Sequence, residues 1–211
     1  MKVSSSKENI LKKIRQALGN PVPVPFPHSE GNKSIFQPAT KELEIEFAEN
    51  FTGLLGKFSF CTDEKELAQQ LQLLSSGRKF NAIFCNEKPL REKLINAGFN
   101  NFSATDIANC DASITGCELL IARTGSLLMS SAQASGRTVS VYAPIHICVA
   151  YTSQLVYDIK ESLLILKEKY ANKLPSLITL ASGPSRTADI EKTLVVGVHG
   201  PKEVFVFLID G

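Results

Sequence analysis

Apolar residues recur at two different spacings along the chain, and the change from one to the other divides it. Ile10, Leu11, Ile14 and Leu18 fall on one face of a helix that Ser5 caps, that Glu8 closes with a capping box, and that Gly19 ends. Pro21, Pro23, Pro25 and Pro27 follow at alternate positions. Each fixes its own φ and pushes the residue before it out of helix, which predicts an extended spacer. One amphipathic helix on such a tether cannot bury its own face. It is expected to dock on the main domain or on a second copy, making a homo-oligomer an expectation. Residues 1–39 are therefore read as helix and Pro-rich linker, and 40–211 as one α/β domain.

From Thr40 to about Asn100, helical and strand spacing alternate. Leu43, Phe47, Phe51 and Leu54 make a helical face, and Lys57–Cys61 a short strand. Asp63 with Glu66 starts a helix faced by Leu67, Leu71 and Leu74. Asn81–Cys85 reads as a strand, followed by a helix carrying Leu90, Leu94 and Ile95 and closed by Gly98. This alternation predicts βαβ units and a parallel or mixed sheet. After Asp106 the apolar runs shorten: Ala112–Thr115, Glu118–Ala122, Leu127–Ser130, Thr138–Tyr142 and Ile145–Ala150. Their close spacing predicts neighbouring antiparallel strands or hairpins. Ile159, Leu163, Leu166 and Tyr170 then mark a long helix. Leu177–Leu180, Leu194–Val198 and Val204–Ile209 are three more strand-like segments.

Composition narrows the function classes. Twenty-three basic and 21 acidic side chains give a formal net charge of +2, which supplies no electrostatic footprint for nucleic acid. No apolar run approaches the ~20 residues needed to cross a bilayer, and the lysine-rich start has no signal-peptide core behind it. Five cysteines (Cys61, Cys85, Cys110, Cys117, Cys148) are scattered without a C-x-x-C pair. A disulfide framework, a zinc site and an iron–sulfur cluster held by this chain alone are not expected, and a reducing cytoplasm is the simplest location. No histidine pair has metal-ligand spacing, and neither G-x-G-x-x-G nor a P-loop occurs.

Three segments carry candidate chemistry. Ile121–Ser126 runs from an apolar strand into a small-residue turn, Arg123-Thr124-Gly125-Ser126. Such a turn either presents backbone N–H groups and two hydroxyls to a ligand or is a hairpin with Gly125 at positive φ. In Ser182–Glu191, Gly183-Pro184 is a turn signal, and Ser185 or Thr187 is placed to cap a short helix. A helix N-terminus there, with Arg186 beside it, would take a phosphate or carboxylate. The plainer reading is a capped helix whose dipole Asp189 and Glu191 complement. Third, His199 stands between glycines in Gly197-Val198-His199-Gly200-Pro201, exposed for acid–base work. His146, within an apolar strand, reads as a satisfied core residue, though its Pro-flanked motif raises the prospect of a site shared with His199. Ser126 or Ser185 as a nucleophile lacks a G-x-S-x-G elbow.

Ile114-Thr115-Gly116-Cys117-Glu118, Ala122-Arg123-Thr124-Gly125-Ser126, Pro144-Ile145-His146-Ile147, Ser182 to Glu191 and Gly197 to Pro201 occur here in that order. In order and spacing they resemble the LUD (lactate utilisation) domain family, and most of all its lactate-utilisation protein C branch. The resemblance implies a three-layer αβα sandwich with a mixed sheet, like the ribose-phosphate isomerase, glucosamine-phosphate deaminase and CoA-transferase group. It also implies a role in oxidising L-lactate to pyruvate beside two partners rich in iron–sulfur motifs, with no cofactor on this chain. Members of the family commonly carry an acidic residue where this chain has Arg123, a reversal of local charge that favours an anion over a cation.

Two readings follow. In the first, the chain is a non-redox subunit or accessory protein of a lactate-oxidising system. Its loops bind a small carboxylate or a partner: Arg123 and Arg186 supply charge, Thr124, Ser126 and Ser185 supply hydrogen bonds, and Gly125, Gly183, Thr187 and Asp189 complete the surface, with His199 as proton carrier. In the second, it is a stand-alone isomerase, transferase or cyclo-ligase acting on a phosphorylated or CoA-like molecule held at Gly183–Thr187.

Overall fold

The structure is a computed structural model that describes residues 5–19, 38–171, 173–187 and 195–211. The Pro-rich segment and Asp189 lie outside the described residues, as does the Ser5 side chain. Two units separate, Met1–Pro38 and Ala39–Gly211. The first holds helix α1, Ser5–Gly19, which ends at the glycine that the sequence placed there.

In the second unit α2 (Leu43–Gly53) precedes β1 (Lys57–Cys61), α3 (Glu64–Arg78), β2 (Ile83–Phe84), α4 (Lys88–Asn96) and β3 (Ala112–Thr115). The hairpin β4 (Leu119–Ile121) and β5 (Ser126–Ser130) comes next, then a short helix α5 (Val139–Tyr142) and β6 (Ile145–Tyr151). After β7 (Leu155–Val156) and α6 (Ile159–Lys169) follow β8 (Ile178–Ala181), β9 (Arg186–Thr187), β10 (Val195–Val196) and β11 (Glu203–Ile209). Local chemistry accounts for several of these limits. The Asp63 carboxylate accepts the Glu66 N–H at 2.8 Å and caps α3. Lys79 closes that helix in a left-handed conformation.

Among the described residues the strands form a five-stranded sheet, β1-β11-β6-β3-β2, and a four-stranded sheet, β7-β4-β5-β8. Every pairing in the first is parallel. In the second, β5 runs antiparallel to β4 and β8, and β7 is parallel to β4. The expected α/β sandwich is thus present, its mixed pairing confined to the smaller sheet. One face of the large sheet meets α3 and α4 through Leu67, Leu71, Leu94, Ile114, Ile147 and Phe207. The other meets α2 and the inner face of the small sheet through Phe47, Phe51, Leu120, Leu127, Val206 and Leu208. The outer face of the small sheet is covered by α6. Burial on both faces explains why the large sheet's strands read as continuous apolar runs.

Two expectations are corrected. Thr138–Tyr142 is not a strand: Val139–Tyr142 is helical, and the Tyr142 N–H is bonded to the Thr138 carbonyl at 3.1 Å. Because β3 and β6 pair directly with each other, no edge is left for a strand between them. For the same reason the segments after Asp106 are not one antiparallel run. The chain leaves the large sheet after β3, builds the β4–β5 hairpin on its other face, and returns as β6. No helix among the described residues is long and apolar enough to cross a membrane.

Candidate functional site

The first motif is the connection between β4 and β5. Ala122–Thr124 make one turn of 3-10 helix, and Gly125 follows at φ +55°. A Cβ there would come within 2.5 Å of the Phe51 backbone nitrogen, so the turn both adopts a left-handed residue and lies directly on the end of α2. Asn50 Nδ2 donates to the Ala122 carbonyl at 2.9 Å from the same helix. Arg123 turns the other way: its Nε donates to Asp158 Oδ2 at 2.7 Å, and its N–H to the Tyr157 carbonyl at 3.1 Å. Asp158 caps α6 by accepting the Lys160 N–H at 2.8 Å. That bond, with the Arg123 guanidinium beside it, holds the carboxyl below its ordinary range. Arg123 therefore joins the hairpin to α6 while remaining part-exposed. Thr124 Oγ1 is buried without a hydrogen-bond partner.

The second motif meets the first through two hydroxyls: Ser126 Oγ lies 2.6 Å from Ser182 Oγ. Gly183, at φ +81°, passes so close to α2's C-terminal turn that a Cβ would stand 2.4 Å from the Leu54 carbonyl oxygen. The helix expected behind a Ser185 cap does not form, and the one behind a Thr187 cap would lie outside the described residues. Arg186 and Thr187 are β9, paired antiparallel with Val196 and Val195 of β10. The Ser185 N–H is spent on the Pro201 carbonyl at 2.9 Å. The Ser185 N–H is therefore not a free helix-terminal donor for a phosphate at Gly183–Thr187.

The same ribbon delivers the third motif. The Gly197 N–H donates to the Ser185 carbonyl at 2.9 Å, and a Cβ on Gly200 would approach Ser185 Cβ to 3.0 Å. The structure thereby brings Thr124–Ser126, Ser182–Thr187 and Gly197–Pro201 into one connected set of loops. Beside them opens a cleft of about 480 Å³ lined by Val141, Tyr142, Pro144, the Gly197–Gly200 backbone turn and Lys202. His199 is exposed on its wall. Tyr142 and Lys202 were missed in the sequence. Tyr142 sat in a presumed strand, but Lys202 directly follows the Gly-Val-His-Gly-Pro run and was there to be seen.

These loops fall within a match to a known family. The sequence profile described as LUD domain matches residues 90–209. The chain belongs to the LUD domain family. Among its relatives, the Lactate utilization protein C of Bacillus licheniformis is 34% identical over 116 residues, which cover 54% of this chain and 48% of that protein. The Lactate utilization protein C 1 of Bacillus mycoides is 24% identical over an alignment covering 100% of this chain and 99% of that one. In its stronger matches the chain spans about half the length of the curated relatives. The crystal structure of a DUF162 family protein from Deinococcus radiodurans superposes with a TM-score of 0.60 at 18% identity, covering 82% of this chain and 99% of that one, which shows the shared fold.

Two further features of this LUD domain bear on its site. His146 is fully buried, and its Nε2 lies 2.8 Å from Thr115 Oγ1. Burial pushes its pKa down to about 4, so the ring is neutral and serves the core, and it does not line the cleft that His199 borders. Glu118, read in the sequence only as the start of a strand and as part of a family motif, is buried at the centre of a polar cluster. Its carboxylate accepts from Ser130 Oγ, the Tyr170 hydroxyl and Lys169 Nζ, each at 2.6 Å. Burial raises its pKa, but these donors outweigh that and leave it below the ordinary value. All five cysteines are buried and free. Among the described residues no three His, Cys, Asp or Glu side chains gather as a metal site.

Proposed function

We propose that this chain is a non-redox subunit or accessory protein in the oxidation of L-lactate to pyruvate, with the two electrons released passing to iron–sulfur clusters on partner proteins. The observation that carries the reading is the joining of the three family motifs into one loop surface, at Ser126–Ser182 and Ser185–Pro201. Its relatives named Lactate utilization protein C supply the pathway. In this reading the loop surface contacts a small carboxylate or a partner loop, Arg186 contributes charge, Arg123 holds the hairpin through Asp158, and His199 is the proton carrier or a polar ligand.

The test is an anaerobic pull-down of the full chain from its native cells, assayed for L-lactate-dependent dye reduction. Co-purification of iron–sulfur proteins with that activity is expected. Recovery of the chain alone, with lactate-dependent activity left intact in the unbound fraction, overturns the reading.

A further inference from the structure

We propose that the cleft between α5 and the Gly197–Lys202 loop binds a small oxyanion, a carboxylate or a phosphoryl group on a short carbon body, with Lys202 as its main charged contact. The cleft's volume, about 480 Å³, lies in the range of small-molecule sites. Its lining includes Lys202, His199 and Tyr142, and no acidic side chain. Glu203, the next residue, does not neutralise Lys202, because its carboxylate is committed to Lys57 and Arg78. Among the described residues, neither Lys202 Nζ nor the His199 ring makes a hydrogen bond or ion pair. A lysine, a histidine and a tyrosine thus line one cleft with no carboxylate among its lining residues.

The loop is held in place before any ligand arrives. The Gly197 N–H is bonded to Ser185 and the Lys202 N–H to the Pro144 carbonyl at 2.8 Å, so both ends are pinned and little ordering remains to be done on binding. The Lys202 stem packs against Gly197, where a Cβ would be 2.2 Å from its Cγ. Val141, Pro144 and Val198 supply an apolar wall for the carbon body of the ligand. This places the anion site beside the Gly183–Thr187 turn, where the Ser185 N–H is already bonded to Pro201. The proposal rests on the lactate reading only in the choice of first probes.

The experiment is an NMR titration of the full, ¹⁵N-labelled chain with L-lactate, pyruvate and inorganic phosphate, each at constant ionic strength against chloride. Saturable shifts centred on Tyr142, Val198, His199, Gly200 and Lys202 are expected with at least one probe. Saturation by lactate and pyruvate alone identifies a carboxylate, and saturation by phosphate alone a phosphoryl group. Lys202→Ala should weaken binding about tenfold, the effect of losing one charge-assisted hydrogen bond. Lys202→Arg should retain most of the affinity, and the surface control Lys160→Ala all of it. The proposal is overturned by the absence of saturable shifts with all three probes. It is overturned equally by a Lys202→Ala chain, folded by its spectrum, that binds like the unaltered one. A chain that binds the anion but pulls down no lactate-oxidising partner would sink the functional reading alone.

Discussion

Ser126 Oγ and Ser182 Oγ stand 2.6 Å apart, each the other's hydrogen-bond partner, at the point where the hairpin turn touches the loop after β8. Ser126 is buried and also donates towards the Thr124 carbonyl at 3.2 Å. Replacing either serine with alanine removes this bond, at a cost of about 1 kcal/mol. The Ser126→Ala/Ser182→Ala double variant should lose less than the sum of the singles. Urea unfolding of the four proteins measures the coupling, and strict additivity would show that the pair contributes nothing as a pair.

Glycine positions should divide sharply. Gly125→Ala imposes strain at φ +55° and a contact of 2.5 Å with the Phe51 backbone, which predicts a loss of at least about 2 kcal/mol. Gly77, inside α3 with nothing within 4 Å of a Cβ, should behave oppositely. Gly77→Ala should gain about 0.5–1 kcal/mol from reduced unfolded-state freedom. Paired melting curves decide the matter, and a Gly125→Ala protein as stable as the unaltered chain contradicts the packing described.

His146 makes stability depend on mild acid. Its folded pKa, about 4, lies below the ordinary value near 6.5. The unfolded chain therefore binds a proton that the folded one refuses across that window. Stability should be full above about pH 6.5 and fall as pH drops towards 4, by about 3 kcal/mol in total. His146→Gln should flatten this slope in a pH series of urea denaturations, and an unchanged slope would assign it to other groups.

Glu118 acts lower on the scale. Its pKa is depressed by the Lys169, Ser130 and Tyr170 donors against its own burial. Its contribution is present above the ordinary carboxylate pKa of about 4.3 and is lost as pH falls through the lower folded value. Glu118→Gln keeps the shape but removes the charge facing Lys169. The expected loss is about 2 kcal/mol at neutral pH, disappearing in strong acid where the unaltered protein has lost the same interaction. Chemical denaturation at two pH values checks both halves.

Much of this molecule was legible because periodicity and capping coincide with burial. The faces of α2 and α3, the Asp63 cap and the strand Lys57–Cys61 follow directly from residue spacing. What misled was pairing. Thr138–Tyr142 alternates like a strand, yet a strand needs a free edge, and the direct pairing of β3 with β6 removes it. At the site, Gly125's conformation was readable from its turn, but Ser185's backbone partners come from Gly197 and Pro201. Local sequence cannot announce a bond to a segment further along the chain. Lys202 directly follows the Gly-Val-His-Gly-Pro run, but the cleft it lines is completed by α5, far earlier in the chain.

The order of strands in the large sheet has a consequence for how the protein is made. β1 touches that sheet only through β11, its sole pairing partner among the described residues, at the opposite end of the sequence. While the ribosome is still reading the intervening codons, Phe58 and Phe60 emerge on a strand with no neighbour to receive it. Residues 203–209 lie between β1 and β6, so β1 cannot join the large sheet before they are made. Until then the edge of β1 has no partner in that sheet, and pairing over so long a stretch of chain is as a rule slower than helix formation and open to aggregation, the condition a chaperone guards against.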